Sequence, residues 1–208
     1  MLNKMLCGGN QMFLTLDWRD IELYTFKVAK KILSNGFRPE VIIGIMRGGY
    51  IVARILSDYL DIPGIGAIEI KFYKSIGEHG ERPILTQPLT INVRDKRVLI
   101  ADDVADSGRT LQVAVDLIKL YGAKEVRTAV LFVKPRSIFV PDFYAELTDK
   151  WVVFPWEYGE VIRELMRSRD IPLSKDKLMK LAKDIGISKD KEVLDELINL
   201  VIKTKVRK

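Results

Sequence analysis

Short runs rich in Val, Ile and Leu alternate along this chain with longer amphipathic stretches. This alternation is typical of βαβ units, in which helices cover a central parallel sheet. The sequence therefore predicts an α/β fold. Asp17 is the predicted N-cap of the first helix, and Gly36, Pro63 and Gly122 follow predicted helix ends. The predicted strands span 40–45, 65–72, 98–101 and 126–133, and the predicted helices 18–33, 50–60 and 110–121.

The remaining segments divide the chain into a core and an extension. A polar stretch at 73–88 is long for a connection in a compact domain and predicts a functional lid. Residues 89–93 alternate, and short strands are predicted at 143–147 and 151–154. Two amphipathic helices are predicted at 175–185 and 189–203, with Ser174 and Ser188 as N-caps. We expect a core over 12–160, with a small hood from about 140–158, and a helical extension over 161–208.

Charge and composition exclude several classes of protein. The 208 residues are 48% hydrophobic, which is enough for a packed core, and carry a net charge of +6. Residues 161–208 hold 13 basic and 8 acidic residues, which gives +5, so the core lacks the general basic surface that nucleic acid needs. Nucleic acid is therefore not an expected partner.

The numbers of cysteines and histidines exclude further classes of protein. Cys7 is the only cysteine and His79 the only histidine, which excludes a disulfide framework and a zinc site built on these residues. The chain has neither an apolar run of membrane-spanning length nor a secretory signal, so we predict a cytoplasmic protein with no membrane partner. The charge-rich composition, with few Gln and Asn, is typical of a thermophile.

The segment 98–110 carries most of the functional signal. The strand is followed by Asp102 and Asp103, then Asp106, then a turn that contains Gly108 and leads into a helix. Ligands of open α/β sheets bind at the carboxyl ends of strands, and a helix N-terminus favours an anion there. Residues 106–110 (Asp106, Ser107, Gly108, Arg109 and Thr110) therefore fit a terminal phosphate.

The paired acids fit another part of the same ligand. Asp102 and Asp103 would repel a phosphate unless they met hydroxyls or a divalent cation. A phosphorylated sugar supplies the hydroxyls, and Mg²⁺ supplies the cation. The sequence holds no G-x-x-x-x-G-K-[ST] motif, so this is not a Walker loop.

This segment closely resembles the phosphoribosyl-diphosphate (PRPP) motif of type I phosphoribosyltransferases. The resemblance implies that family's mainly parallel sheet, its hood, and transfer of ribose 5-phosphate from PRPP to a base. It further implies that Asp102 and Asp103 face the ribose diol and Mg²⁺, and that the turn holds the 5′-phosphate. It also gives an expectation of a homodimer or a higher homo-oligomer.

Three further segments resemble the purine branch of this family. Gly44-Ile-Met-Arg-Gly-Gly49 is similar to its pyrophosphate loop, which assigns pyrophosphate binding to Arg47, Gly48 and Gly49. The stretch 73–88 takes the place of the family's lid, although Phe72-Tyr73 replaces its Ser-Tyr pair. Further candidates to bind pyrophosphate are Lys71, Tyr73, Lys74 and Arg82.

The other two segments resemble the base site. Lys134 ends a strand where 6-oxopurine enzymes place a donor to the base oxygen. Trp151 matches the ring that stacks on the purine, and backbone groups near Val152 and Val153 would read its edge. The resemblance also gives Asp106 the role of general acid/base beside ring nitrogen 7.

The preferred base has two candidates, of which a 6-oxopurine (hypoxanthine, guanine or xanthine) is slightly favoured over adenine. An ammonium donates and cannot accept from an exocyclic amine, so Lys134 favours a 6-oxopurine over adenine. The long extension favours adenine instead, because some archaeal relatives with added C-terminal helices look adenine-directed. A PRPP-sensing regulator that binds nucleic acid through 161–208 is a rival class, since 178–188 faintly resembles half of a helix-turn-helix. A ribose-phosphate diphosphokinase and a pyrimidine-directed transferase fit the sequence less well.

Overall fold

The structure is a computed structural model that describes residues 12–74, 81–187 and 190–205. The described chain forms two compact units. Glu22–Asp149 is one unit, and the segments on either side of it, up to Ile21 and from Lys150, form the other. The predicted boundary at residue 160 stays a prediction.

The larger unit contains a six-stranded sheet with the order β4-β3-β2-β5-β6-β7. Only the β3–β4 pair is antiparallel. This arrangement confirms the predicted α/β class with a mainly parallel sheet. The eight strands of the described chain are β1 Phe13–Thr15, β2 Val41–Ile45, β3 Gly64–Lys74, β4 Glu81–Gln87, β5 Arg97–Ala105, β6 Glu125–Val133, β7 Phe143–Leu147 and β8 Trp151–Val153.

Helix α1 (Trp18–Asn35) connects β1 to β2, α2 (Gly48–Tyr59) connects β2 to β3, and α3 (Arg109–Leu120) connects β5 to β6. The start of α1 is capped reciprocally, because the backbone N–H of Asp20 donates to Asp17 and the N–H of Asp17 donates to Asp20, both at 2.9 Å. Buried apolar residues of β2, β5 and β6 pack against those of α3 on one face of the sheet. The sheet therefore holds the ends of β2 and β5 side by side.

Two segments of the larger unit differ from the sequence prediction. Residues 81–87 of the predicted lid form strand β4, and residues 89–93 form no regular strand. Strand β5 extends four residues beyond the predicted end at 101, because pairing with β6 continues to Ala105 and Val133. The predicted lid residue His79 lies outside the described residues.

The smaller unit contains the parallel pair β1–β8 and helices α4 (Tyr158–Ser168), α5 (Lys175–Asp184) and α6 (Lys191–Lys205). The short strand β1 and helix α4 were not predicted from the sequence. Asp190 accepts from two N–H groups at the start of α6, whereas the predicted cap Ser188 lies outside the described residues. Among the described residues, no helix is long and apolar enough to cross a membrane.

Candidate active site

The paired acids lie within strand β5, near its carboxyl end. Asp102 accepts a hydrogen bond from the N–H of Asp103 at 3.0 Å, and Asp103 accepts from the N–H of Val104 at 2.8 Å. Burial, and then the negative charge of Asp103, raise the pKa of Asp102 well above its ordinary value. Two crowded carboxylates at a strand end favour a bound cation or hydroxyl donors. No cluster of three or more acidic, His or Cys side chains suited to a metal occurs in the described parts of the chain.

The start of α2 lies directly against these acids. A Cβ built on Gly49 would stand 2.6 Å from the carbonyl oxygen of Ala101 and 2.8 Å from Oδ1 of Asp102. Only glycine allows this approach, because real Cβ atoms do not come so close to backbone atoms. The fold thus brings two predicted groups together, the Arg47–Gly49 turn and the Asp102–Asp103 pair.

The predicted phosphate turn follows β5 and opens α3. Gly108 has φ +78° and is the N-cap of the helix, and the N–H groups of the first turn of α3 have no acceptor within the helix, which favours an anion there. A Cβ on Gly108 would meet the backbone N of Phe139 at 2.7 Å, so a second loop packs against this turn. The Arg109 guanidinium lies over the Phe72 ring, 4.5 Å from its centroid.

That second loop, residues 134–142, places two charged side chains, Lys134 and Arg136, near Asp106. The loop joins the phosphate turn through hydrogen bonds from the Lys134 N–H to Ala105 and from the Ile138 N–H to Ser107. Arg136 forms an ion pair with Asp106 through both Nε and Nη2, and both side chains are about half exposed.

Lys134, by contrast, is buried. Only 8% of its surface is exposed. Burial lowers the pKa of Lys134, while the nearby charge of Asp106 acts in the opposite direction. A buried ammonium with an acidic neighbour can donate a hydrogen bond to a polar ligand atom at a position that bulk water does not reach.

The β3–β4 hairpin carries the remaining predicted cations. Lys71 forms an ion pair with Glu69 at 3.0 Å. Tyr73 lies opposite Arg82 in the register, and its side chain is exposed. Lys74 ends β3, and its side chain lies outside the described residues.

The aromatic segment of the predicted base site belongs to the smaller unit. Trp151 is 37% exposed, whereas Val152 and Val153 are buried. The carbonyl of Val153 accepts from the N–H of Leu16 at 3.0 Å, so this backbone group already has a partner. Within the same unit, Phe154 stacks on Trp156 with 4.7 Å between ring centroids.

Comparison with known proteins assigns this site to a family. The family model described as phosphoribosyl transferase domain matches residues 16–163, which is most of the chain. The chain belongs to the phosphoribosyltransferase family. This finding confirms the predicted family and the predicted enzyme class, transfer of a ribosyl phosphate group.

Two relatives of this phosphoribosyltransferase have names that state purine substrates. Hypoxanthine-guanine phosphoribosyltransferase of Homo sapiens is 31% identical over 157 residues, which cover 68% of this chain and 72% of the human protein. The crystal structure of a purine phosphoribosyltransferase from Pyrococcus horikoshii Ot3 is 42% identical, with a TM-score of 0.64, and covers 70% of this chain and 94% of that chain. A crystal structure of a Neisseria gonorrhoeae protein with bound ppGpp is 28% identical, with a TM-score of 0.63, and covers 70% of this chain and 89% of that chain.

Sequence reasoning missed three polar residues around the phosphoribosyltransferase site. Arg136 pairs with Asp106, Glu69 pairs with Lys71, and Thr86 donates to Glu69 at 2.6 Å. Arg136 could have been noticed as a second cation just after Lys134-Pro135. The role of Thr86 depends on how β4 pairs with β3, which the sequence does not indicate.

Proposed function

We propose that this phosphoribosyltransferase transfers ribose 5-phosphate from PRPP to a purine base, giving a nucleoside 5′-monophosphate and pyrophosphate. The choice of base rests on the buried Lys134, which directly follows β6 and lies near Asp106. A buried ammonium would donate to the oxygen of a 6-oxopurine and cannot accept a hydrogen bond from the exocyclic amine of adenine. The names of the human and P. horikoshii relatives also support a purine, and the human name supports a 6-oxopurine.

We assign each part of PRPP to one element of the larger unit. The 5′-phosphate binds the 106–110 turn, where N–H groups at the start of α3 and the hydroxyls of Ser107 and Thr110 donate. The ribose diol meets Asp102 and Asp103. The pyrophosphate binds the turn of Arg47, Gly48 and Gly49 and the hairpin cations.

Mg²⁺ fits the chemistry of the acid pair. Two carboxylates match the one or two protein ligands that Mg²⁺ commonly uses beside substrate phosphates and water. Burial and the charge of Asp103 raise the pKa of Asp102, so a cation bound beside the pair would stabilise its ionised form. When bound between Asp102 or Asp103 and PRPP, the ion would neutralise negative charge on the leaving group.

The chain's own residues carry the other steps. Breaking the bond between ribose and pyrophosphate leaves negative charge on the pyrophosphate, and Arg47 and Lys71 are the side chains that stabilise it. Asp106 takes the proton that the purine loses as it attacks. Trp151 binds the base by stacking, with backbone groups of Val152 and Val153 at its edge.

A spectrophotometric screen tests this proposal. Wild-type protein is assayed with PRPP, Mg²⁺ and each of adenine, hypoxanthine, guanine and xanthine. We expect turnover with one or more of the three oxopurines, and a Lys134→Gln variant that loses this activity. Turnover with adenine alone would overturn the assignment of the base, and no turnover with any purine would overturn the function.

The C-terminal helices support a packing role for the extension. Leu194, Ile198 and Val201 of α6 are buried in the core of the smaller unit. The exposed side of α6 carries Glu192 and Glu196 together with Lys191 and Lys203, so it lacks the uniformly basic surface that nucleic acid needs. We also propose a homo-oligomer, which light scattering of the purified protein tests.

A further inference from the structure

A β-bulge in the hairpin fixes the position of one carboxylate near the predicted pyrophosphate site. Ile70 lies opposite Leu85, whereas Glu69 lies opposite Gln87, so Thr86 has no partner in the register. The Thr86 hydroxyl lies 2.6 Å from Oε2 of Glu69 and 3.3 Å from its carbonyl oxygen. Bulges commonly reorient a side chain beside an active site, and this one holds the Glu69 carboxylate in a defined place.

The Glu69 carboxylate pairs with one cation that the proposed function gives to pyrophosphate, Lys71, and is influenced by the charge of a second, Arg47. Its Oε1 lies 3.0 Å from Nζ of Lys71. The N–H of Met46 donates to the carbonyl of Ile68 at 2.8 Å, which brings the Arg47 turn beside the start of this segment. The hydrogen bond from Thr86, then Lys71 and the charge of Arg47, lower the pKa of Glu69.

The ion pair of Glu69 with Lys71 contributes little to the stability of the fold. The Lys71 side chain is about half exposed, and an exposed ion pair contributes little to the free energy of unfolding. A carboxylate held among cations does, however, reduce the positive potential that an incoming polyanion meets.

We propose that Glu69 is a built-in counter-ion of the pyrophosphate cations, which weakens pyrophosphate binding and so favours release of this product. The inference rests on the proposed function, because it takes Arg47 and Lys71 as the pyrophosphate cations. Glu69 is a positioning residue that acts through Lys71. Thr86 keeps its carboxylate in place.

Binding of inorganic pyrophosphate to the full chain tests this role. Titration calorimetry in the presence of Mg²⁺ compares wild type with Glu69→Gln, Lys71→Gln and the double variant. Glu146→Gln is the matched control, because Glu146 pairs with Lys27 elsewhere in the same unit and has no place in the site. Product inhibition by pyrophosphate, measured against PRPP, gives a second readout.

We expect Glu69→Gln to bind pyrophosphate about tenfold more tightly than wild type, and Glu146→Gln to bind it as wild type does. We expect the gain to shrink in the Lys71→Gln background, since the two residues act together. Unchanged or weaker pyrophosphate binding by Glu69→Gln would overturn the inference while leaving the proposed function intact. A wild-type protein that neither binds pyrophosphate nor transfers a phosphoribosyl group would overturn both the inference and the proposed function.

Discussion

Gly49 contacts Asp102 so closely that no other residue fits at position 49. A Cβ there would lie 2.8 Å from both Cα and Oδ1 of Asp102. This contact joins the start of α2, which holds the predicted pyrophosphate turn, to the acid pair on β5. In the proposed binding mode, the groups that hold the ribose and those that hold the pyrophosphate would depend on this close approach of two backbones.

Substitution of Gly49 by Ala should damage the site through this contact. The added methyl must push α2 or β5 away, and a shift of about 1 Å in a catalytic group can lower the rate about 100-fold. We expect Gly49→Ala to lower kcat/KM for PRPP by about this factor. Gly159→Ala is the control, because the added methyl meets only the flexible guanidinium of Arg163. Equal kinetics for Gly49→Ala and wild type would contradict the close contact.

Removal of the Asp106 carboxylate should reduce turnover more than binding. An Asn at this position keeps a similar shape but cannot accept the proton from the purine, and general acid/base groups contribute about 10²–10⁴-fold in rate. We expect Asp106→Asn to lose kcat by about this factor while its Kd for PRPP stays within a few-fold. Asp116→Asn on the exposed side of α3 is the control. Retained turnover in Asp106→Asn would remove this residue from the mechanism.

Substitution of Trp151 by Ala tests the base site. A stacking ring contributes to base binding by about 1–3 kcal/mol, so its loss should raise KM for the purine about tenfold or more. KM for PRPP should change little, because PRPP is assigned to the larger unit. Steady-state kinetics with each substrate varied measures both constants, and Trp18→Ala, which alters another exposed tryptophan, is the control. Equal increases in both constants would indicate a structural role instead.

The alkaline stability of the protein should depend on Tyr158. Its hydroxyl donates to the carbonyl of Leu16, and burial, followed by the charges of Asp17 and Asp20, raises its pKa from 10.0 to about 12. A raised pKa gives stability that is complete below pH 10 and is lost as the pH rises to about 12. Tyr158→Phe cannot ionise and does not undergo this loss.

Denaturant unfolding at pH 8 and near pH 12 measures the effect of Tyr158. At pH 8 the Phe variant should be less stable than wild type by about 1 kcal/mol, because a hydrogen bond is lost. Near pH 12 this difference should largely disappear. Tyr121→Phe, at the exposed end of α3, is the control for general alkaline effects. A difference that stays constant with pH would show that the Tyr158 hydroxyl keeps its ordinary titration.

The central sheet could be predicted because its strands are buried on both faces. Strands β2 and β5 each contain a short run of Val, Ile and Leu, and each is followed by a segment with helical periodicity. The turn at Gly108 could also be predicted from the sequence, because a tight strand-to-helix turn needs a left-handed φ and glycine adopts it. Both features are encoded locally.

The missed features depend on contacts between distant segments. Strand β1 has three residues and pairs with β8, more than a hundred residues away, so no local pattern indicates it. Strand β4 contains Pro83 and several polar residues, which resemble a loop, and its pairing with β3 decides its structure. The Glu69–Thr86 contact follows from the bulge in that pairing, and the ion pair of Asp106 with Arg136 follows from the packing of two loops.

A crystal structure with bound PRPP and Mg²⁺ tests the central claim most directly. The account predicts density for the 5′-phosphate on the N–H groups of residues 106–110 and for the ribose diol beside Asp102 and Asp103. An empty turn at saturating PRPP, or PRPP bound elsewhere on the chain, would contradict it.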